Sequence, residues 1–285
     1  MEIIPDKIGR ELDLAATLAA LSQGLENYSE LESLSLAEMP LIAAITAAYL
    51  ESLNVREPIA MFSTNFTAEN LNRNHNIKLA AKAIDKTLVL SDGQFSFNEV
   101  VGKATAQRGY REALVIVGGE LVEGIGGGIC QVSSTLYNAI LLADLSILER
   151  RNHALAVTYL PPGRDATISY GWIDLKFLNE RNHAVWLRTF IDGNKLTVTF
   201  YGKTIPGHEV SILTTDLASI DAEEEIIMTP DLPKGVQEQL KKGQPGYHVT
   251  VWRVTKLNGE EISREMLSQD SYRSVPYKYR VGTAQ

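Results

Sequence analysis

An α+β central domain built round one long helix, an all-β C-terminal module and a helix-rich N-terminal fragment are what this 285-residue sequence predicts. Three observations carry that expectation. A glycine loop, Gly124 to Gly128 (GIGGG), runs directly into an apolar helix candidate, Ile129 to Leu145. Short alternating segments flank that helix and recur to the C-terminus. Charge is also uneven: residues 1–60 hold 10 acids and 3 bases, residues 61–202 hold 13 and 14, and residues 203–285 hold 12 and 10. The breaks suggest three regions, 1–60, 61–202 and 203–285. Apolar residues make up 45% and charged residues 22%, an ordinary globular composition.

In chain order, Met1 to Asp13 reads as a short strand and turn, and Asp13 to Leu25 places Leu14, Leu18 and Leu21 at helical spacing. Arg73 to Ile84 reads as a second helix. A turn at Ser91-Asp92-Gly93 leads to FSFN at 95–98, and two short strands follow up to Val122. After the glycine loop and its helix, His153 to Tyr159, Asp165 to Tyr170 and Ile173 to Leu178 alternate as strands do. Trp186 to Phe190 and Lys195 to Phe200 form a hairpin round Asp192-Gly193-Asn194. A second hairpin joins Tyr247 to Thr255 with Glu261 to Met266 through Leu257-Asn258-Gly259. The acidic run Asp221 to Glu225 reads as a solvated face.

Composition also excludes. A net charge of −8 argues against a nucleic-acid partner. The longest apolar run, Pro40 to Leu50, is too short to span a bilayer, and no signal peptide is visible after Met1. One cysteine, Cys130, precludes an internal disulfide, and the five scattered histidines show no zinc spacing, so no metal or cofactor is expected.

The chemistry points to GIGGGICQVSSTLYNAIL. Gly126, Gly127 and Gly128 allow positive φ and close backbone approach to a ligand. They place Cys130 in the first helical turn, where unpaired N–H groups favour an anion and lower a thiol pKa. The N–H groups of Gly128 to Gln131 are candidate oxyanion donors. On a helical wheel Cys130, Ser133, Ser134, Tyr137 and Leu141 share one face, opposite Val132, Leu136, Ala139, Ile140 and Ala143. A nucleophilic thiol needs a base. His153, 23 residues on, and Asp165, 12 further, suit a Cys–His–Asp arrangement of the kind papain-like enzymes use. Arg73, within Asn72-Arg73-Asn74-His75-Asn76, is a candidate carboxylate binder, with helix capping by its asparagines as the competing reading. For Cys130 the competing reading is an inert buried thiol.

Four motifs in order, FSTNFTAENLNRNHNIKLAAKAID, GQFSFNEVVG, GGGICQVSSTLYNAIL and ERRNHALAVTYLPPGRDATISYG, resemble the VanW family over about residues 60–202. Gly246, the strand through Arg253, Asn258-Gly259, Tyr272, Pro276 and Val281-Gly282-Thr283 resemble the G-five domain, a β module often attached to cell-wall proteins. Residues 1–50 look like the tail of a peptidoglycan-binding module that commonly precedes VanW domains. The sequence departs from the family at Ser91-Asp92, where a proline is expected, and at Ala154, where a serine is expected.

The family takes its name from vancomycin-resistance clusters, and some members are linked to L,D-transpeptidation through a cysteine, which makes 3-3 peptidoglycan cross-links. The resemblance implies Cys130 as that nucleophile. His153 and Asp165 match the family's histidine and DAT aspartate, and their base and orienting roles follow from the triad logic. Gly126, Gly127, Gly128, Gln131, Ser133, Ser134 and Arg73 are the expected substrate contacts. Expected partners are peptidoglycan stem peptides and glycan, in an extracytoplasmic, wall- or membrane-anchored protein whose N-terminal anchor lies outside this chain. The alternatives are a cysteine peptidase or amidase on stem peptides, and a non-catalytic wall-binding protein.

Overall fold

The computed structural model describes residues 3–26, 33, 35–43, 45–117 and 120–284. The chain divides into two compact units, Met1–Asn54 and Val55–Gln285. In the first, β1 (Gly9–Leu12) pairs antiparallel with β2 (Glu38–Leu41), and α1 (Leu14–Glu26) and α2 (Ala47–Ser52) accompany them. Asp13 accepts the Ala16 amide and Thr46 accepts the Tyr49 amide, capping the two helices. The fragment is therefore mixed rather than helix-rich. The apolar run from Pro40 splits into a strand end and a six-residue helix, because Arg10↔Pro40 pairing claims its first residues for a sheet.

The second unit opens with β3 (Glu57–Asn65), α3 (Leu71–Ile84), β4 (Thr87–Val89), β5 (Gln94–Ser96) and α4 (Phe97–Val101). A hairpin follows, β6 (Glu112–Val117) with β7 (Glu120–Ile125), then α5 (Ile129–Leu142), β8 (Ser146–Glu149), β9 (Lys176–Leu178), β10 (Val185–Asp192) and β11 (Lys195–Gly202). The order β3-β11-β10-β4 makes an antiparallel sheet, with α3 and α5 packed against it. Val185 and Leu187 on β10, with Leu196, Val198 and Phe200 on β11, point inward as period-two alternation requires. Their core is shared with Ile77, Ile84, Leu136, Ile140 and Phe177. Phe177 stacks on Phe95 at 5.0 Å and meets Phe200 edge-on at 5.7 Å.

The expectation of one long helix is corrected: α3 and α5 each run 14 residues. Helix α5 stops at Leu142, short of Leu145, because Asp144 turns left-handed at φ 55° and the Leu145 amide folds back to Ile140 O. The two wheel faces of α5 are alike in burial, and every residue from Gln131 to Leu141 is buried. The strands expected over 153–159 and 165–170 are absent. Between β8 and β9 the chain is irregular apart from a single Ser169↔Ile173 bridge. Side chains take the place of a ladder there: Ser134 Oγ accepts the Ala166 amide, Asn138 donates to Arg164 O, and Arg150 Nε donates to Asp165 O. The alternation in this segment reflects its position between α5 and the C-terminal strands.

Those strands form two three-stranded sheets. β12 (His208–Ile220), β15 (Gly246–Leu257) and β16 (Glu260–Tyr272) make one, ordered β12-β15-β16. β13 (Glu224–Pro233), β17 (Tyr277–Ala284) and β14 (Gln237–Lys241) make the other, with β13 and β17 parallel. The expected Asn258-Gly259 turn is present, with φ of 52° and 86°. Among the described residues this region is all-β, and none of the helices in the chain is long and apolar enough to cross a membrane.

Asn76 ties α3 to the glycine loop. Its amide donates to Arg111 O and Gly127 O, and its oxygen accepts the Arg111 amide, at 2.9, 2.9 and 2.8 Å. Asn76→Ala leaves these buried partners unmatched and is expected to cost about 3 kcal/mol, read as a lower urea midpoint with an unchanged slope.

Candidate active site

The glycine loop is a packing device. Gly128 caps α5 at φ 108°, a left-handed conformation that side chains resist. A Cβ on Gly127 would sit 2.5 Å from Leu114 O, and one on Gly128 would sit 2.9 Å from Arg73 O. On Gly126 it would lie 2.9 Å from Ala104 Cβ. The space the missing side chains leave is filled by the chain itself, so Gly126, Gly127 and Gly128 act by placing the helix start rather than by opening room for a ligand. Of the expected oxyanion donors, the amides of Ile129 and Gln131 are spent on Gly126 O and Gly128 O.

Cys130 lies half-buried in this first turn, with Sγ 3.8 Å from Ile168 O. His153 and Asp165 are buried beside it, at 6% and 0% exposure. His153 Nδ1 lies 2.5 Å from Asp165 Oδ2, and the His153 amide donates to the same oxygen at 2.7 Å. That leaves Nε2 for Cys130, with which His153 shares a hydrogen bond. The structure therefore brings together the three residues that sequence reasoning nominated, from helix and loop rather than helix and strand.

Electrostatics set the protonation. Burial drives the His153 pKa down, but Asp165 and the sulfur reverse that and push it up to about 10. Burial drives the Cys130 thiol up, but the hydrogen bond and charge of His153 bring it below its ordinary value. The Asp165 carboxyl is opposed by burial and held low by His153, Arg150 and Tyr272. Both shifts run toward a thiolate–imidazolium pair oriented by a carboxylate, the charge distribution on which cysteine nucleophiles rely.

Four further residues complete the site, and sequence reasoning missed them. Tyr272, in β16, donates its hydroxyl to Asp165 Oδ1 and accepts the Gly163 amide at 2.7 Å. Arg150 reaches Asp165 Oδ1 at 3.4 Å and clamps both oxygens of Asp270 at 2.7 and 2.6 Å, its guanidinium 4.9 Å from the Tyr137 ring centroid. Tyr159 lies 3.4 Å from Ser134 Oγ, and burial and the Cys130 charge raise its pKa, so it stays a protonated donor near the sulfur. A signal existed for two of them: Arg150 stands in ERRNH and Tyr272 in the β-module pattern.

The remaining expected contacts look inward. Gln131 is buried and donates to Thr64 and Asn65 while accepting from Arg73 at 2.7 Å. Ser133 donates to Ala166 O at 2.7 Å and Ser134 to Cys130 O at 2.6 Å, and both are fully buried. None of these three has a hydroxyl or amide to spare for a substrate. Arg73 stays half-buried, 5.9 Å from the Tyr159 ring centroid, and the sulfur's charge acts on it. It is a second cation near the sulfur, in addition to His153.

Within the second unit, an α+β domain carries Cys130, His153 and Asp165, and a β-module closes over the aspartate. Residues 72–201 match the VanW like protein family and residues 213–284 match the G5 domain. The chain therefore carries a VanW-like domain followed by a C-terminal G5 domain, as the sequence resemblance implied. It is 38% identical over 203 residues to Uncharacterized protein YoaR of Bacillus subtilis, covering 71% of this chain and 66% of that protein. It is 35% identical over 130 residues to Vancomycin B-type resistance protein VanW of Enterococcus faecalis, covering 44% and 47%. The chain thus spans less than two thirds of either relative. Among solved structures, an IgA1 protease G5 domain matches at 30% identity and TM-score 0.21, covering 27% of this chain and 94% of that one. HP0197-G5 matches at 20% identity and TM-score 0.18, covering 26% and 97%.

Two substitutions probe the charge state and its support. His153→Ala leaves burial of the thiol unopposed, so iodoacetamide alkylation of native Cys130 at neutral pH should slow at least about tenfold. Tyr272→Phe keeps the ring and removes the hydroxyl shared by Asp165 and Gly163, and should lower stability by about 1–3 kcal/mol in chemical denaturation.

Proposed function

We propose that this protein is a cell-wall enzyme, a cysteine-dependent L,D-transpeptidase acting on peptidoglycan stem peptides. The observation supporting this reading above all others is the Cys130–His153–Asp165 constellation, with the carboxylate 2.5 Å from Nδ1 and the thiol at a helix start. The VanW-like and G5 domains fit a wall-associated setting. In this reading residues 1–50 belong to a peptidoglycan-binding module, and the protein works outside the cytoplasm.

The Cys130 thiolate attacks the carbonyl carbon of the third residue of a tetrapeptide stem. The bond to the terminal D-amino acid breaks, and the departing amine takes the proton held by His153, leaving a thioester and neutral imidazole. An amine from a neighbouring stem then attacks the thioester, gives its proton to His153 and releases the thiolate, so charge and protons return to the start. Asp165 holds the ring through both transfers. With the Ile129 and Gln131 amides occupied, in this reading the Cys130 amide, the Tyr159 hydroxyl and the Arg73 guanidinium meet the oxyanion.

Purified protein should convert tetrapeptide muropeptides into 3-3 linked dimers, detected by mass spectrometry, and Cys130→Ala should abolish them. Dimers formed by the Cys130→Ala variant would overturn the mechanism, and tripeptides without dimers would make the enzyme a hydrolase. A pH profile adds a second check. Because the His153 pKa is raised, the imidazolium survives neutral and mildly alkaline pH, so activity should hold there and fall as pH rises through about 10.

A further inference from the structure

We infer that the VanW-like domain has its own glycan subsite, in the groove beneath Tyr170 and Trp172, and this rests on the peptidoglycan reading of the Cys130 site. The chain leaves the sulfur at Ile168, and within four residues reaches Trp172, which is 88% exposed, and passes Tyr170, which is 53% exposed. This is no loose loop end. The Trp172 and Ile173 amides both donate to Ser169 O, at 2.9 and 2.8 Å, and the Ser169 amide donates back to Ile173 O. Asn98 Nδ2 grips Ile173 O, and Asp174 accepts from Ser96 Oγ and the Asn98 amide, fastening the turn to the start of α4.

Two aromatic rings are thus held in water beside a groove of about 390 Å³, lined by Asn98, Glu99, Glu149 and Lys176 among others. The volume is in the range of small-molecule sites. Lys176 pairs with Glu149 at 2.9 Å, while Glu99 is exposed at the groove wall. A hexose ring has an apolar C–H face and a rim of hydroxyls. An indole face beside carboxylate acceptors and an ammonium donor matches both at once, and an aromatic of this kind offers on the order of 150–250 Å² of contact. In peptidoglycan the stem peptide is attached to the glycan, so a glycan seated at Trp172 delivers its stem toward Ile168 and Cys130.

The test is titration of the full chain with an N-acetylglucosamine tetramer, and separately with glycan strands stripped of stems, followed by calorimetry and tryptophan fluorescence. Saturable binding is expected, weakened at least about tenfold, or 1.4 kcal/mol, by Trp172→Ala and less by Tyr170→Phe. Melting temperature and Cys130 alkylation should stay unchanged. No binding by the wild-type chain overturns the inference. So does unchanged affinity in Trp172→Ala, which would put the glycan elsewhere, or binding of free stem peptide alone at this groove. The outcome is separable from catalysis. Glycan binding without cross-linking removes the transpeptidase reading only, and cross-linking without glycan binding removes the subsite only.

Discussion

A carboxylate sealed from water holds this site together. Asp165 is wholly buried and would be untenable as an isolated anion, since desolvating a lone carboxylate costs several kcal/mol even after relaxation. It is stable because four groups donate to it: the His153 ring and amide, the Tyr272 hydroxyl and the Arg150 guanidinium. Each donor has a second task. His153 faces the sulfur, Tyr272 holds Gly163, and Arg150 carries the charge on to Asp270. The ion pairs run in sequence, His153 to Asp165, Asp165 to Arg150 and Arg150 to Asp270, so carboxylates alternate with cations. Removing one member leaves its neighbours as uncompensated buried charges, which is how a network of this kind becomes rigid.

Two of these groups, Asp270 and Tyr272, belong to the G5 domain. The junction extends beyond them. Asn152 donates to Ser271 O, Gln244 to Ala156 O, and the Arg273 amide to Ala154 O. Arg253 reaches Leu145 O at 2.9 Å, just past the end of α5. Ala156 lies in a small apolar cluster with Val249, Val251 and Tyr272. The β-module therefore packs on the very loop that carries His153 and Asp165.

Much of this was legible in the sequence, and the reasons are local. Glycine runs and 3.6-residue spacing announce α5 and its cysteine, and Asp192-Gly193-Asn194 and Asn258-Gly259 announce the two hairpins, because turn chemistry depends on neighbours in the chain. Cys130, His153 and Asp165 stand out by residue type and order. What stayed hidden depends on distance. Arg150 meets Asp270 across 120 positions, and Tyr272 meets Asp165 across 107. Ser133 and Ser134 looked like a free polar face because the wheel cannot show that the 159–168 segment lies on it and consumes both hydroxyls. The same cover explains why the expected strands are missing: a backbone whose partners are side chains of α5 needs no ladder.

The irregular path of residues 150–168 has a consequence for how the site is built. A strand would fix His153 through its own hydrogen-bonded neighbours. Here the ring is fixed instead by a carboxylate, and the carboxylate by side chains from both domains, so the Cys130–His153–Asp165 cluster has no secondary structure of its own on the histidine side. Geometry at the sulfur then depends on docking of the G5 domain, in the way a site on a loop depends on the scaffold beneath it. On this architecture the G5 domain is part of the site: its Tyr272 donates to Asp165, and its Asp270 supplies a second carboxylate to a cluster in which Asp165 alone faces both Arg150 and His153. A VanW-like domain separated from that surface would keep Cys130 at its helix start, since Gly128, Asn76 and Gln131 hold it from within the domain, but would lose the restraint that aims His153.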